Sequence, residues 1–510
     1  MKFVITLGLL ALCCIAASAQ SAQCLPVKAR NLEGNYMIPG TRGDIVYRRI
    51  VGISGRELAL DAYVQKRGAA RPAVIIIHGG GGDTGSRIAF IGQFLELLTA
   101  AGYNWFAVDY RLTNADEAVD DVHAALVFIR CHAQEFRIDT NRIALLGEDT
   151  GAQLALRLAQ DKSLAVQAVV SVGGRFAQLA EALATDALLI HGAADREVPL
   201  ATAESLCQTV RRCQVLPVEG AIHRAENWRP AQWSYKTKLL AWLNERMKLR
   251  AADHEPSVTS LRKKIVFDSP HGLTLDAYVP KGRGPHPAVM IVHGGGWEAG
   301  DRVTYATPVF APLARAGFAW FSIDYRLTPQ VRHAEQLEDV RTAFRFVHDH
   351  ARRFNIDPLR LALLGESASG QMVAQLATES LEGVAAVVSF YGVYDFATRT
   401  GDLSPNSIPA RLFGITQLDD EARATLRRYS PLHNAKRNMP PLLLICGTKD
   451  GLYDNHTSFV QRLEQLGARH TSVIVESAPH GIENWEGHSA WLSYKDKLVE
   501  WLRATLGRKK

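Results

Sequence analysis

The sequence predicts two α/β domains in tandem, each a mostly parallel sheet with helices on both faces. The chain has 510 residues, too many for one ordinary hydrophobic core. Its second half repeats segments of its first half in the same order. Within each half, short apolar runs alternate with amphipathic helical stretches. Strands that alternate with helices form parallel sheets covered on both sides, so these observations together indicate the fold class.

The internal repeat fixes the domain organisation. The paired segments are LALDAYV (58–64) and LTLDAYV (273–279), PAVIIIHGGGG (72–82) and PAVMIVHGGGW (287–297), DYRLT (109–113 and 324–328), RIALLGEDTG (142–151) and RLALLGESASG (360–370), and ENW (226–228 and 483–485). The pattern breaks at AADHEP (251–256), where Pro256 ends any helix. We therefore predict a first domain over 20–250, a linker over 251–257 and a second domain over 258–510.

The second half shows the alternation of strands and helices clearly. Six apolar runs are predicted to be buried strands: AVMIV (288–292), WFSID (320–324), LALLG (361–365), AVVSF (386–390), LLLIC (442–446) and SVIVE (472–476). Helical periodicity marks LEDVRTAFRFVHDHARRF (337–354) and SFVQRLEQL (458–466). Open parallel sheets bind their ligands at the carboxyl ends of strands, so the catalytic candidates are expected there.

The N-terminus resembles an export signal. Lys2 precedes an apolar run over 3–17, and Ala17-Ser18-Ala19 supplies the small residues of a cleavage site. This pattern predicts a signal peptide over 1–19 and an exported, soluble protein without membrane insertion. Cys13 lacks the small preceding residue of a lipoprotein signal, which argues against a lipid anchor.

Composition narrows the classes of partner. The chain is 47% apolar and 22% charged with a net charge of +6, and its one basic cluster is the tail 507–510. We interpret this tail as solvated and expect no nucleic-acid binding. Signal cleavage would leave five cysteines, an odd number, so at least one thiol stays free or pairs between chains. A local Cys207–Cys213 disulfide would require a helix to end between the two residues.

The second half carries a candidate nucleophile, acid and base. Ser367 follows the strand LALLG within GESASG, on a predicted strand-to-helix turn that exposes its hydroxyl. Asp450 and His480 each follow a later strand, and Ser, Asp, His is a known triad order. Asp454 and His488 are the alternatives for acid and base. Asp450 and His480 are preferred because the first half retains Asp195 and His223 at the matching places.

A glycine loop completes this candidate site. His293-Gly294-Gly295-Gly296-Trp297 follows the strand AVMIV. Backbone N–H groups of Gly295 and Gly296, with that of Ala368 after the nucleophile, are predicted to form an oxyanion hole. The second Gly of a G-x-S-x-G motif is Ser369 here, a small replacement. No metal-ligand cluster or phosphate-binding loop is apparent.

These motifs resemble the esterase/lipase branch of the α/β-hydrolase superfamily. HGGGW, DYRLTP, GESASG and the Asp450 and APH segments are similar to the hormone-sensitive-lipase-like and feruloyl/acetyl-esterase-like groups, over essentially all of 258–510 and more loosely over the first half. The resemblance implies two tandem α/β-hydrolase domains. It also implies carboxylic-ester hydrolysis through an acyl-enzyme, without a cofactor, on small-molecule or carbohydrate esters.

The first half is predicted to be a degenerate copy of the site. Asp149 stands at the nucleophile position, with Asp195 and His223 retained. Asp nucleophiles do occur in this fold, but the dehalogenase pattern has Trp where this chain has Thr150. Ser389 and Asp450 are 61 positions apart, whereas Ser171 and Asp195 are only 24 apart. We expect the extra segment of the second half to cover its pocket, the first site to be open and wet, and Asp149 to pair with His223.

Two other functions remain open. A serine peptidase or amidase shares the triad order, although no propeller-like repeat precedes the module. A non-enzymatic binding protein fits the first half alone.

Recurring aromatic and acidic residues are interpreted as structural. Trp228, Trp233, Trp485 and Trp491 are assigned to core packing, and Glu148 and Glu366, which precede the two turns, to a structural role.

Overall fold

The computed structural model describes residues 24–31, 35, 40–50, 57–65, 68–176, 183, 185–249 and 261–507. Three sequence-based predictions fall outside these ranges: the signal peptide over 1–19 with Cys13, the linker over 251–257, and all but the first residue of the basic tail. In the described part, no helix has the length and apolar character needed to cross a membrane.

The first domain contains one eight-stranded sheet in the order β1-β2-β4-β3-β5-β6-β7-β8. β2 pairs antiparallel with β1 and β4, and the remaining pairs are parallel. The strands are β1 (Thr41–Arg49), β2 (Glu57–Tyr63), β3 (Arg71–Ile77), β4 (Asn104–Val108), β5 (Ile138–Glu148), β6 (Ala168–Val172), β7 (Asp186–Gly192) and β8 (Cys213–Val218).

The second domain repeats this sheet, again with eight strands, in the order β9-β10-β12-β11-β13-β14-β15-β16. β10 pairs antiparallel with β9 and β12, and the rest are parallel. The strands are β9 (Leu261–Asp268), β10 (Leu273–Tyr278), β11 (His286–Val292), β12 (Ala319–Ile323), β13 (Ile356–Glu366), β14 (Val384–Phe390), β15 (Leu442–Gly447) and β16 (His470–Val475).

Helices connect the parallel strands and cover both sheets. In the first domain they are α1 (Gly92–Ala101), α2 (Ala115–Cys131), α3 (Thr150–Leu158), α4 (Leu200–Thr209) and α5 (Tyr235–Met247). In the second domain they are α6 (Thr307–Arg315), α7 (His333–Asp349), α8 (Ala368–Thr378), α9 (Ile408–Phe413), α10 (Asp420–Arg428), α11 (Pro431–Asn434), α12 (Tyr453–Leu466), α13 (Ile482–Trp485) and α14 (Ser493–Leu506).

Each sheet is buried between two apolar layers. In the second domain, α7, α8 and α12 pack on one face, and α6 and α14 pack on the other. The first domain places α2, α3 and α4 on one face, and α1 and α5 on the other. Strands buried on both faces are continuous apolar runs, which is why the sequence reveals them. The predicted fold class, two α/β domains with mostly parallel sheets, is confirmed.

The repeated tryptophans belong to these layers. Trp228 and Trp485 are fully buried, as expected for core residues. Trp233 and Trp491 are partly buried and pack against the same layers. Core packing therefore accounts for all four rings.

The predicted C-terminal end of one helix was wrong. The helix predicted over 337–354 is α7, which begins at His333 and ends at Asp349. The last residues of the predicted stretch instead form a turn in which buried Ala351 and Phe354 pack against the core. A helical spacing of apolar residues therefore continued past the helix end because the following turn buries its apolar side chains as well.

Two disulfides lie in the first domain. Cys207 pairs with Cys213, and α4 ends at Thr209, between them, as that pairing requires. Cys24 pairs with Cys131 over a sequence separation of 107, a link that the sequence did not predict. Cys446 is free and buried in the second domain, consistent with the odd count.

The two domains contact each other through equivalent loops. The Tyr305 hydroxyl of the second domain lies 2.8 Å from Glu226 O and 2.7 Å from Asn227 Oδ1, and its one O–H can donate to either oxygen. In the opposite direction, Gly85 N of the first domain donates to Glu486 O at 3.0 Å. In each domain, the loop that follows the HGGG segment contacts the other domain just after its histidine. Tyr305 contacts residues that follow His223, and Gly85 contacts Glu486, which follows His480. This reciprocal arrangement is the geometry of a two-fold dimer interface.

Candidate active site

Ser367 occupies a sharp turn between β13 and α8. Its φ of 54° and ψ of −116° lie outside the ordinary regions for a non-glycine residue, a strain that places a side chain at a strand-to-helix corner. Ser369 stabilises the corner, because its hydroxyl donates to Val292 O (2.6 Å) and accepts from Glu366 N (2.9 Å). The departure from Gly at this position therefore leaves the turn intact.

The predicted base and acid lie beside Ser367. His480 Nε2 is 2.9 Å from Ser367 Oγ, and His480 Nδ1 is 2.8 Å from Asp450 Oδ2. Asp450 is buried and also accepts a hydrogen bond from Leu452 N at 2.8 Å, which fixes the carboxylate. These contacts bring together one nucleophile, one base and one orienting carboxylate. Of the alternatives, Asp454 lies exposed in the first turn of α12, and His488 contacts the first domain at Asp83 O.

The glycine loop lies directly against the carboxyl end of β13. Glu366 Oε1 accepts a hydrogen bond from Gly294 N at 2.5 Å, and a Cβ on Gly294 would lie 2.1 Å from the same oxygen. A side chain at Gly294 would displace this carboxylate, and the hydrogen bond from Gly294 N gives Glu366 the structural role predicted for it. Gly295 and Gly296 follow with φ of 95° and 62°, a left-handed path that glycine adopts without strain.

Tyr391 also supports the site and was not singled out from the sequence. The Tyr391 ring packs against the His480 ring at 4.6 Å, and its hydroxyl accepts from Ile482 N at 2.7 Å. Burial raises the pKa of the Glu366 carboxyl beside them. A sequence signal for Tyr391 was present, because it directly follows β14 and differs from Gly173, the residue at the matching place in the first half.

The extra segment of the second half reaches the glycine loop. It forms α9, α10 and α11 between β14 and β15. Phe396 of this segment packs against Trp297 at 5.6 Å between ring centroids, and both side chains are buried. The segment therefore packs beside the loop that carries Gly295 and Gly296. The cavity that opens onto Ser367 is lined by residues of other segments, so the expected cover of the pocket by this segment was wrong.

In the first domain Asp149 occupies the same turn, with φ of 48° and ψ of −114°. Its Oδ2 accepts hydrogen bonds from Gly80 N (3.3 Å) and Gly81 N (2.8 Å). The repeat aligns these two glycines with Gly295 and Gly296. Two consecutive N–H groups of this loop can therefore converge on one negatively charged oxygen, which is the geometry that an oxyanion hole requires.

The other oxygen of Asp149 is held by cations. Oδ1 accepts from Arg175 Nε at 2.7 Å and lies 3.2 Å from His223 Nε2, while His223 Nδ1 lies 2.7 Å from Asp195 Oδ2. Burial alone would raise the pKa of Asp149, but hydrogen bonds from His223 and Gly81 and the charge of Arg175 lower it well below its usual range. Burial would lower the pKa of His223, but its two carboxylate partners raise it.

The expected openness of this first site was wrong. Asp149 has no exposed surface, and Asp195 and His223 are buried as well. Arg175 is the physical reason, because its guanidinium lies over the carboxylate where a cover would otherwise be needed. The expected pairing of Asp149 with His223 is present.

A cavity of about 320 Å³ opens onto Ser367 and His480, and both domains line it. The second domain contributes Gly295, Gly296 and Tyr305, among others. The first domain contributes Phe90, Ile222, Arg224, Glu226 and Asn227. Sequence analysis of each half alone could not identify this wall, because it depends on how the two domains pack.

Among the described residues, one group of possible metal ligands lies in the first domain. Cys24, Cys131 and His132 lie close enough to share an ion. The two sulfurs are joined in a disulfide, so neither is a thiolate that could bind one.

Known proteins resemble both halves of the chain. The model of the BD-FAE family matches residues 60–170 and 275–463, together more than half of the chain. Esterase LipC of Mycobacterium tuberculosis is 29% identical over 252 residues, covering 44% of this chain and 61% of LipC. Carboxylic ester hydrolase LipN of the same organism is 30% identical, covering 45% of this chain and 66% of LipN. The chain thus spans about two thirds or less of these relatives' length.

Solved structures match about half of the chain. A truncated carbohydrate esterase from gut microbiota has a TM-score of 0.43 at 22% identity, covering 49% of this chain and 97% of that one. The thermostable carboxylesterase EstE1, cloned from a metagenomic library, has a TM-score of 0.42 at 23% identity, covering 50% and 92%.

Proposed function

Because this chain belongs to the BD-FAE family of α/β-hydrolases, we propose that it is a serine carboxylesterase whose second domain carries the active site. Its substrates are short acyl or aryl esters, including esters of carbohydrates. The observation that carries the proposal is the contact sequence Ser367 Oγ, His480, Asp450, with donor–acceptor distances of 2.9 and 2.8 Å. The esterase names of the similar proteins LipC and LipN support it.

The geometry supports a two-step reaction. His480 Nε2 takes the proton of Ser367 as the hydroxyl oxygen attacks the ester carbonyl, and Asp450 stabilises the imidazolium that forms. N–H groups of Gly295, Gly296 and Ala368 bind the carbonyl oxygen as it becomes negative. One such donor is typically worth about 10² to 10³ in rate. His480 then protonates the leaving alcohol, and water, activated by the same base, releases the acid from the acyl-enzyme.

The proposal includes a first domain without catalytic activity. The carboxylate of Asp149 occupies the site that an oxyanion would need, where it accepts from Gly80 N and Gly81 N. Arg175 and His223 neutralise it in a buried environment. A nucleophile held by four donors has no lone pair free for attack, which supports the degenerate copy over an Asp-nucleophile enzyme.

Export to an oxidising compartment is part of the same proposal. The pairs Cys24–Cys131 and Cys207–Cys213 support it, because disulfides persist mainly outside the reducing cytosol. The test is cell fractionation with N-terminal sequencing of the mature chain. Recovery of full-length protein in the cytosol, with its first residues intact, would contradict the proposal.

The deciding experiment compares Ser367→Ala with Asp149→Asn on nitrophenyl acetate. We expect Ser367→Ala to lower kcat by about 10⁴-fold or more, because no other group can form the acyl-enzyme. Asp149→Asn is the matched variant at the same turn of the other domain, and its kcat/KM should stay within about twofold of wild type. Activity that survives Ser367→Ala but not Asp149→Asn would place the chemistry in the first domain and overturn the proposal.

A further inference from the structure

Arg224 of the first domain lies in the cavity that contains Ser367 and His480. About 28% of its side-chain surface is exposed, although the surrounding residues are mostly buried. Its nearest carboxylate oxygen, Glu226 Oε1, is 3.8 Å from Nη1, beyond hydrogen-bond distance. Among the described residues, none accepts a hydrogen bond from the Arg224 guanidinium. The Arg224 guanidinium, which carries five N–H donors, therefore lies at the cavity beside Ser367 without a hydrogen-bond acceptor among the described residues.

The guanidinium is held in place by an aromatic ring. Its Cζ lies 5.2 Å from the centroid of Phe90, another residue of the cavity wall. Stacking of this kind orients the planar group and leaves its N–H edge available. The neighbouring Arg229 is different, because it already bonds Glu298 Oε2 at 2.6 Å. The Arg224 guanidinium is thus fixed in orientation but donates no hydrogen bond to a described residue.

The fold itself does not require an arginine at this position. The repeat aligns Arg224, directly after His223, with Gly481, directly after His480. The second domain enters its corresponding short helix from Gly481, whose φ is 93° where that of Arg224 is −92°, so no arginine is needed there. The Arg224 side chain instead lies at the wall of the cavity.

Several carboxyl groups lie near Arg224, but none accepts a hydrogen bond from it among the described residues. Burial lowers the pKa of Arg224, whereas the carboxyl groups of Glu226, Glu148, Asp149 and Glu197 raise it overall, so the guanidinium stays charged. Glu148, Glu226 and Glu483 are buried, and burial raises the pKa of each. A carboxylate matches the spacing of the N–H groups that Arg224 leaves without an acceptor.

We propose that Arg224 binds a carboxylate of the substrate, so that the second-domain site prefers esters whose acid or alcohol part carries a carboxylate. The inference rests on the proposed esterase function and extends it to a substrate class. It also gives the first domain a role: it supplies the specificity-determining wall of a site whose reacting groups lie on the second domain. Arg224 positions the substrate and takes no part in bond breaking.

The test measures kcat/KM for two matched ester pairs. Mono(nitrophenyl) glutarate and nitrophenyl valerate differ by a carboxylate on the acid part. Meta-acetoxybenzoate and meta-acetoxybenzamide differ by a carboxylate on the alcohol part. In wild type we expect the charged ester to be preferred in one pair, and that pair identifies the part of the substrate that Arg224 contacts.

Variants of two neighbouring arginines complete the experiment. Arg224→Gln should reduce the charged-to-neutral ratio of kcat/KM for the preferred pair by about tenfold or more, because the charged ester alone loses a charged hydrogen bond. Arg224→Lys should restore part of the ratio. Arg229→Gln, the control, should leave the ratio unchanged. Equal loss on both members of each pair, or no preference in wild type, would overturn the inference. Loss of neutral-ester hydrolysis in Ser367→Ala tests the proposed function separately.

Discussion

At the scale of single residues, one substitution separates the two sites of this molecule. Asp149 and Ser367 share the same strained backbone within a few degrees, and each faces a histidine oriented by a carboxylate. In the second domain the adjoining donors are left for a substrate. In the first domain the Asp149 side chain uses them itself. In the first domain the carboxylate therefore occupies the place that the proposed mechanism assigns to a negatively charged intermediate in the second.

The Asp149–His223 pair predicts a pH dependence of stability. Asp149 has a lowered pKa, so its contribution is present above pH about 4 and is lost as the pH falls further. His223 has a raised pKa, so its contribution is full below pH about 6.5 and is lost as the pH rises through the raised value. Stability from this pair should therefore be greatest between about pH 4 and 6.5.

Thermal unfolding of wild type and Asp149→Asn as a function of pH checks this expectation. The difference in Tm between the two proteins should be largest between about pH 4 and 6.5 and should shrink on either side. A difference that is constant from pH 3 to pH 9 would show that the pair is not ionised as described.

The sequence predicted the three triad residues but not the arginines that lie near the two sites. Ser367, Asp450 and His480 each follow a strand, and the repeat supplied the register that chose them over Asp454 and His488. Arg175 and Arg224 have no motif, since an isolated arginine in a loop is usually solvated. Their roles depend on which carboxylate or cavity lies opposite, and that is decided by three-dimensional packing.

At the scale of elements, the buried parallel strands were predictable and the antiparallel edge was not. β11 to β15 coincide with apolar runs because both of their faces are covered. β16 was predicted to be buried but lies at the other sheet edge, where its residues alternate between buried and exposed. β9 lies at the sheet edge and reads LRKKIVFD, a mixture of charged and apolar residues typical of a half-exposed strand. The two disulfides also belong to this scale, because each fastens a chain segment to an element.

The two disulfides should contribute unequally to stability. Cys24–Cys131 closes a separation of 107 residues and Cys207–Cys213 one of only 6. The chain-entropy model gives about 4.7 kcal/mol for a loop near 100 residues and about 2 kcal/mol for the short one. We expect Cys24→Ala/Cys131→Ala to lower Tm more than Cys207→Ala/Cys213→Ala. Equal losses, measured under the same oxidising buffer, would contradict the loop-length argument.

At the scale of the whole molecule, the interface between the domains forms part of the wall of the proposed active site. The cavity at Ser367 has walls from both domains, and the Tyr305 hydroxyl bonds the first-domain backbone beside it. Lys263 and Arg302 of the second domain also pair with Glu96 of α1. The tandem repeat predicted two similar domains, but no pattern within either half indicated that their catalytic edges face each other.

A glycine pair tests the importance of that interface. A Cβ on Gly487 would lie 2.3 Å from Gly85 O of the other domain, whereas a Cβ on Gly317 would have no atom within 4 Å. Both residues have φ of 85°, so Ala costs the same backbone strain at each, about 1 to 2 kcal/mol. We expect Gly487→Ala to lower both Tm and kcat/KM more than Gly317→Ala. Similar effects of the two variants would indicate that the interface contributes little.

The reciprocal contact between the domains has a consequence for behaviour on dilution. Two identical subunits that met through such loops would separate at low concentration, and a cavity shared between them would be lost. Here the two halves lie on one chain, so each is present to the other at an effective concentration set by their connection and not by the solution. The cavity that both domains line therefore stays assembled in a single molecule, however few copies surround it.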